Sequence, residues 1–159
     1  MTKLGQTLRE VRRLRHTALT LFTALTLSAL IACHGLVRAQ EMAGLQMTVL
    51  GPGPTTGGTD HARASGVFVS ILVQLTAANR PAIFNVEGYK LSDAAGHIFP
   101  ITQNALTAMH DLNAGMNGPN IDVRPGFPRQ VYLAFDVPGP GTYMLSGPGI
   151  PGQVPIQAR

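Results

Sequence analysis

Residues 66–76 have the sequence GVFVSILVQLT, which alternates with the two-residue period of a β-strand. One face of this strand is entirely apolar and consists of Val67, Val69, Ile71, Val73 and Leu75. The other face is mixed and consists of Phe68, Ser70, Leu72, Gln74 and Thr76. Because the stretch is also rich in β-branched residues, it favours a strand over a helix. The pattern therefore predicts a strand that is buried on one face and partly covered on the other.

A second stretch, residues 129–137 (RQVYLAFDV), repeats this alternation. Its apolar face consists of Val131, Leu133, Phe135 and Val137. Shorter alternating segments occur around residues 45–49, 89–91, 98–99 and 143–145, and turns containing Gly or Pro lie at residues 93–96 and 138–141. Short strands separated by such turns are typical of a β-sandwich. We therefore predict an all-β domain.

Two longer segments lack a sustained strand pattern and are expected to be loops at the ends of the sandwich. Residues 51–66 (GPGPTTGGTDHARASG) are rich in Gly, Pro and Thr. Residues 103–126 are expected to contain one or two helical turns over Gln103–Leu112 and a turn at residues 124–126. Because sandwich domains often use their end loops for recognition, both segments are candidate binding surfaces.

The second of these segments is unusually apolar for a loop. Its candidate contact residues are Leu112 and Ile121, together with Met109, His110 and Met116. The alternative is that these residues only cover the open end of the sandwich.

The start of the chain has the pattern of a signal peptide. Five basic residues lie within residues 1–15, and they precede an uncharged apolar run over residues 18–32. That run is shorter than the ~20 residues that a membrane-spanning helix needs. We therefore predict a signal peptide over residues 1–39 and an extracytoplasmic domain over residues 40–159.

Two cleavage positions compete at the end of the leader. Leu30–Cys33 (LIAC) resembles the lipobox of bacterial lipoproteins, in which the cysteine receives a lipid. Val37–Ala39 (VRA) resembles an ordinary signal-peptidase site with small residues at its −3 and −1 positions. Lipidation at Cys33, secretion after cleavage at Ala39 and retention of the leader as an anchor all stay open. Each places the domain in the periplasm, in the outer envelope or outside the cell, and the expected membrane contact is a lipid on Cys33.

The net charge of +4 belongs to the leader. From Gln40 onward the chain has six basic and seven acidic residues, which gives a net charge of −1. Nucleic-acid binding needs a clustered basic surface, so this balance excludes that class of function. Cys33 is the only cysteine, so the exported domain has no internal disulfide and must be held together by burial of apolar surface.

Three segments of the domain resemble a known group of proteins. They are residues 73–79 (VQLTAAN), residues 89–99 (Tyr89-x-Leu91-x-Asp93-x-x-Gly96-x-x-Phe99), and residues 124–126 (RPG) leading to residues 135–138 (FDVP). This pattern is similar to bacterial secreted and lipoprotein domains of unknown function that share the immunoglobulin-like sandwich of a mycobacterial secreted immunogenic antigen. The resemblance covers roughly residues 67–146 and implies an immunoglobulin-like antiparallel β-sandwich preceded by an N-terminal signal peptide. It implies no particular activity.

Copper binding is the sharpest hypothesis for a site. Met109, His110 and Met116 lie close together in sequence, and methionine and histidine are suitable ligands for Cu(I). A blue-copper centre is excluded because it needs a cysteine, and Cys33 belongs to the leader. The alternative is that the two methionines fill gaps in the core and that His110 is a solvated residue.

The sequence does not contain a recognisable catalytic motif. The Gly-x-Ser-x-Gly pattern of serine hydrolases is absent, and the glycine-rich segment at residues 51–58 lacks the lysine of a phosphate-binding loop. We therefore expect no enzymatic activity and no cofactor. The predicted function is that of an exported binding or structural envelope protein whose partner is an unknown protein or envelope component. The alternative is a periplasmic copper-handling protein that uses Met and His ligands.

Overall fold

A computed structural model describes residues 44–114, 116 and 118–159. The predicted signal peptide, Cys33 and the cleavage position after Ala39 lie outside the described residues. The elements are β1 (Leu45–Gly58), β2 (Arg63–Ala77), β3 (Ala82–Asn85), β4 (Lys90–Ser92), β5 (Ile98–Pro100), α1 (Gln103–Leu112), β6 (Asn120–Val123), β7 (Arg129–Val137), β8 (Gly141–Ser146) and β9 (Val154–Ala158).

The strands form an antiparallel β-sandwich, as the sequence predicts. One sheet has the order β1-β2-β7, a second has the order β5-β4-β8-β9, and β3 pairs with β6. All of these strand pairs are antiparallel. In an immunoglobulin-like sandwich, β1, β2 and β7 correspond to strands A, B and E, and β5, β4, β8 and β9 correspond to C′, C, F and G. The predicted all-β, immunoglobulin-like fold is confirmed.

The corner between β7 and β8 carries a hallmark of this fold. The hydroxyl of Tyr143 donates a hydrogen bond to the carbonyl of Gly139, four residues earlier, at 2.6 Å. This is the tyrosine corner of immunoglobulin-like domains. Two residues further on, where antibody domains carry the second cysteine of their disulfide, this chain has the fully buried Leu145. Apolar packing therefore takes the place of the covalent link between the sheets.

The central strand β2 is buried on one face and largely covered on the other. Val69, Ile71, Val73 and Leu75 are at most 1% exposed. On the opposite face Phe68 and Ser70 are also buried, whereas Leu72, Gln74 and Thr76 are half-buried. Because α1 packs against both β2 and β7, we assign the cover over this second face to the helix. The sequence prediction for this strand is confirmed.

The prediction of a loop over residues 51–66 is wrong. β1 continues to Gly58 with three irregularities in its pairing with β2, and only residues 59–62 connect the two strands. The prolines are tolerated because β1 lies at the edge of its sheet. Gly53 permits a close approach, since a side chain there would collide with the ring of Tyr132 and the hydroxyl of Ser70.

The prediction for residues 103–126 is wrong in two respects: the helix is longer than one or two turns, and a strand that was not predicted follows it. The expected helix occupies all of Gln103–Leu112, and the hydroxyl of Thr102 caps it by accepting a hydrogen bond from the Ala105 N–H at 3.2 Å. Strand β6 then follows at Asn120–Val123. The predicted turn at residues 124–126 is confirmed. The strands β3, β6 and β9 were not predicted.

We expect Tyr143→Phe to lower the free energy of unfolding by about 1 kcal/mol, because the variant loses the bond to Gly139 and keeps the ring. The ring still packs edge-on against Phe99 at a centroid distance of 5.8 Å. Urea denaturation measures the change. Tyr132→Phe is the matched control, since no described residue accepts a hydrogen bond from its hydroxyl. Equal stability of the two variants would contradict the role of the tyrosine corner.

Candidate functional site

Several connections of the sandwich meet at one end, which we call the loop end: residues 78–81, 124–128 and 147–153. The strand register fixes their proximity. Leu45 is paired with Ala77, Pro125 bridges to Ala77, and the Ala78 N–H donates to the Gly44 carbonyl at 2.9 Å. The loop end corresponds to the end that carries the antigen-binding loops in antibody variable domains. The opposite end carries the β1–β2 turn at residues 59–62, and we call it the hairpin end.

A cleft of about 550 Å³ opens at the loop end between β3 and the segment after β8. Its lining consists of Leu45, Gly88, Pro148 and residues 80–85. The cleft narrows at Gly88, where a side chain would collide with the ring of Pro148. The Tyr89 hydroxyl donates a hydrogen bond to the Pro148 carbonyl at 2.7 Å and so fixes this wall.

The free edge of β3 faces this cleft. The Val86 N–H donates to the Pro119 carbonyl at 3.0 Å, and the register of β3 with β6 continues from that pair. Because hydrogen-bonded and non-hydrogen-bonded pairs alternate in an antiparallel ladder, the backbone groups of Ile83 and Asn85 point away from β6. The cleft therefore offers backbone donors and acceptors beside an apolar lining.

Two large apolar side chains are exposed at the loop end, and one of them, Ile83, lines the cleft. Phe127 is 74% exposed and Ile83 is 67% exposed. Phe127 closes a tight turn in which its N–H donates to the Arg124 carbonyl at 3.2 Å and Gly126 has a φ of 76°. Proline at the second position and glycine at the third are the residues that a type II turn requires. The Phe127 side chain is therefore presented by a stiff segment.

Positive charge is concentrated at the same end. Arg80 and Arg124 are exposed, and Arg129 donates to the carbonyls of Asp122 and Ala114 at 3.4 and 3.5 Å. The acidic residues that share this end are Asp122 and Glu87. The hairpin end carries three carboxylates, those of Asp60, Asp111 and Asp136, and two basic residues, Arg63 and Arg159. The near-neutral domain is thus electrostatically uneven along its length.

The three predicted copper ligands do not share one environment. Met109 is fully buried on the inner side of α1, and Met116 is also buried. His110 is exposed, and its Nε2 lies 3.4 Å from the Gly118 carbonyl. Both methionines belong to the hydrophobic core. A thioether of Met109 would have to leave that core to reach a metal bound at His110 on the surface. Among the described residues, no group of three His, Cys, Asp or Glu side chains is placed to hold a metal ion.

The predicted binding loop needs a correction as well. Ile121 is only 2% exposed, because it points inward from β6, and Leu112 packs against the core from the end of α1. Ile121 is therefore not available as a contact surface, and the half-buried Leu112 is available only in part. The residues that are available, Phe127 and Ile83, were not singled out from the sequence. An apolar residue between two prolines in residues 124–129 (RPGFPR) was the signal that could have identified Phe127.

The hairpin end is organised by one carboxylate. Asp111 accepts hydrogen bonds from the Thr59 hydroxyl at 2.5 Å, from the His61 N–H at 2.9 Å and from His61 Nδ1 at 2.7 Å. The bonds from Thr59 and His61 lower the pKa of Asp111 to about 2. The bond to Asp111 and its negative charge raise the pKa of His61. These contacts fasten the end of α1 to the β1–β2 turn.

Ser65 and Asp136 form a second polar group at the hairpin end. The N–H and the hydroxyl of Ser65 donate to Asp136 at 2.9 and 3.2 Å. Asp136 thereby joins the start of β2 to the end of β7. The carboxylate of Asp136 therefore has a structural role, because it links β2 to β7.

No protein-family model matches the chain, and no curated protein matches it. A solved structure of YcdA from Bacillus subtilis, which is classed as a lipoprotein, aligns with 79% of this chain at a TM-score of 0.49 and 9% identity. The alignment covers 39% of YcdA, so this chain spans about two fifths of that protein's length. We draw no functional conclusion from a likeness of this strength.

Among residues 44–114, 116 and 118–159, no helix is long and apolar enough to cross a membrane.

We expect the contact between His61 and Asp111 to make stability depend on pH. The raised pKa of His61 contributes stability that is complete below its unfolded pKa of about 6.5 and is lost as pH rises through the folded value. The lowered pKa of Asp111 contributes stability above about pH 4, and this is lost as pH falls towards about 2. The advantage of the wild type over His61→Gln should therefore be larger at about pH 5 than at about pH 8. The midpoints of urea denaturation at the two pH values measure this stability difference, and His110→Gln is the control. A stability difference between the wild type and His61→Gln that does not change with pH would contradict the role of the contact between His61 and Asp111.

We expect Met109→Ala to lower the free energy of unfolding by about 2–5 kcal/mol, because it opens a cavity in the core. His110→Ala, its neighbour on the exposed side, should change stability by less than about 0.5 kcal/mol. Urea denaturation of both variants, with a Cu(I) titration of each, makes the comparison. The copper hypothesis would be restored by two results together: the wild type binds Cu(I) stoichiometrically and both variants lose this binding, and the stability of Met109→Ala is unchanged.

Proposed function

We propose that this chain is an exported envelope protein that binds a partner through the loop end of its sandwich and catalyses no reaction. The observation that carries the proposal is the exposure of Phe127, Ile83, Arg80 and Arg124 at the end of the domain that also carries the open cleft. Large exposed apolar residues that have polar neighbours are characteristic of interaction sites.

The location in the proposal is supported by the sequence of the leader. A basic start followed by the apolar run at residues 18–32 directs export, and both the lipobox at Cys33 and the site at Ala39 lead to an extracytoplasmic domain. In this proposal the domain is either anchored through a lipid on Cys33 or released after Ala39.

The proposal that the chain catalyses no reaction is supported by the structural roles of its His, Asp and Ser side chains. Asp111 and His61 fasten the helix to the hairpin end, and Asp136 holds Ser65. The second His–Asp pair, His97 with Asp93, closes the β4–β5 turn through a bond of 2.7 Å. These polar groups lie in turns and strand ends, away from the cleft at the loop end.

Site-specific photocrosslinking in cells that produce the full chain tests the proposal. A photoreactive phenylalanine analogue at position 127 should give discrete adducts in the envelope fraction. The same analogue at position 98 is the matched control, because Ile98 is 58% exposed and lines a separate cleft with Ser65 and Pro138. Adducts of equal yield from both positions, or none from position 127, would contradict binding at the loop end.

A further inference from the structure

We propose that the loop end docks on an anionic lipid surface, with Phe127 and Ile83 at the boundary of the acyl chains and Arg80 and Arg124 on the lipid phosphates. This inference rests on the proposed function and names the partner of the same surface. It adds a second membrane contact, made by the folded domain, to the one expected at Cys33.

The first support is the place where the chain joins the domain. Gly44 lies at the loop end, because its carbonyl accepts from the Ala78 N–H and Leu45 pairs with Ala77. From Cys33 to Gly44 the chain can reach at most roughly 40 Å. Strand β2 alone has 15 residues, which corresponds to about 50 Å. When the leader or a lipid on Cys33 holds the chain at a membrane, the loop end stays within about 40 Å of the surface and the domain cannot stand upright on its hairpin end.

The second support is the distribution of charge. Arg80, Lys90 and Arg124 are exposed at the loop end, whereas the carboxylates of Asp60, Asp111 and Asp136 outnumber the basic residues Arg63 and Arg159 at the hairpin end. A domain with this polarity turns its basic end towards a negatively charged surface. Each basic residue close to an anionic membrane strengthens binding by about fivefold. Because Asp122 and Glu87 offset part of this charge, the apolar side chains must contribute as well.

The third support is the chemistry and stiffness of the exposed apolar residues. Aromatic side chains are favoured at the boundary between headgroups and acyl chains, and neighbouring basic residues reinforce their binding there. Pro125, Gly126 and Pro128 hold Phe127 in a turn of fixed shape, so little conformational entropy is lost on insertion. Ile83 lies at the same end, because its neighbour Ala82 pairs with Val123, next to Arg124, and its side chain is 67% exposed.

The absence of tryptophan from the chain allows a direct test. We would reconstitute full-length Phe127→Trp into phosphatidylcholine vesicles, with and without phosphatidylglycerol, and measure quenching of its fluorescence by brominated lipids and by aqueous acrylamide. Ile98→Trp is the matched control. We expect lipid bromines to quench Trp emission from position 127 and acrylamide to quench emission from position 98. Both substitutions are at exposed positions, and circular dichroism verifies the fold.

The charge contribution is tested in the same reporter protein. Adding Arg80→Gln or Arg124→Gln to Phe127→Trp should weaken docking on vesicles that contain phosphatidylglycerol by about fivefold for each arginine. Replacing Arg63, a basic residue at the hairpin end, by glutamine should leave docking unchanged. Docking that is equal on both vesicle types and insensitive to Arg80 and Arg124 would overturn the role of anionic lipid.

Two further outcomes would overturn the inference. One is that position 127 stays as accessible to acrylamide as position 98 on every vesicle. The other is that position 127 becomes protected only when envelope proteins are added, which would assign the loop end to a protein partner. In the second case the photocrosslinks from position 127 would persist and be to protein, so the proposed function would stand while the lipid surface would not. Loss of both the crosslinks and the quenching would refute the two proposals together.

Discussion

The need to bury β2 on both faces without a disulfide governs the rest of this structure. β2 lies between β1 and β7, and one of its faces packs into the sandwich core through Val69, Ile71 and Val73. Phe68 on the other face is just as deeply buried, so that side also needs a cover. A second sheet can cover only one face of the first. The short helix α1 covers the other face of β2, because it packs against β2 and β7 together.

The helix can serve as a cover only because both of its ends are fastened. Asp111 binds the β1–β2 turn, and Asn104 donates to the Arg63 carbonyl at the start of β2. Asn113, which follows the helix, accepts from the Tyr132 N–H at 2.7 Å and donates to the Tyr132 carbonyl at 2.9 Å. Its side chain thus pairs with the exposed edge of β7 as a neighbouring strand would, which protects that edge from other chains. All of this fastening lies away from the loop end, which stays open.

Local sequence patterns were sufficient to predict the elements whose conformation depends mainly on their own residues. The alternation in β2 and β7 reports burial directly, and the turn at Arg124 follows from proline and glycine in the positions that it requires. The second half of β1 could not be predicted because Pro52 and Pro54 argue against a strand until its edge position is known. In α1, Ala105, Met109 and Leu112 form an inward stripe at helical spacing, but ten residues are too few to distinguish that stripe from a cluster of ligands. Met109 therefore resembled a metal ligand until its burial was known.

The loop end could not be predicted for a different reason. Its parts come from segments near residues 44, 80, 124 and 148, and only the pairing of Leu45 with Ala77 and of Ala77 with Pro125 brings them together. The same pairing separates the charges. A net charge of −1 from Gln40 onward excludes a broadly basic domain, yet it says nothing about how six basic and seven acidic residues are arranged in space. Once the strands are paired, two exposed arginines and Phe127 share the end at which β1 begins. Near-neutral composition is therefore compatible with a polarised surface, and the fold creates that polarity.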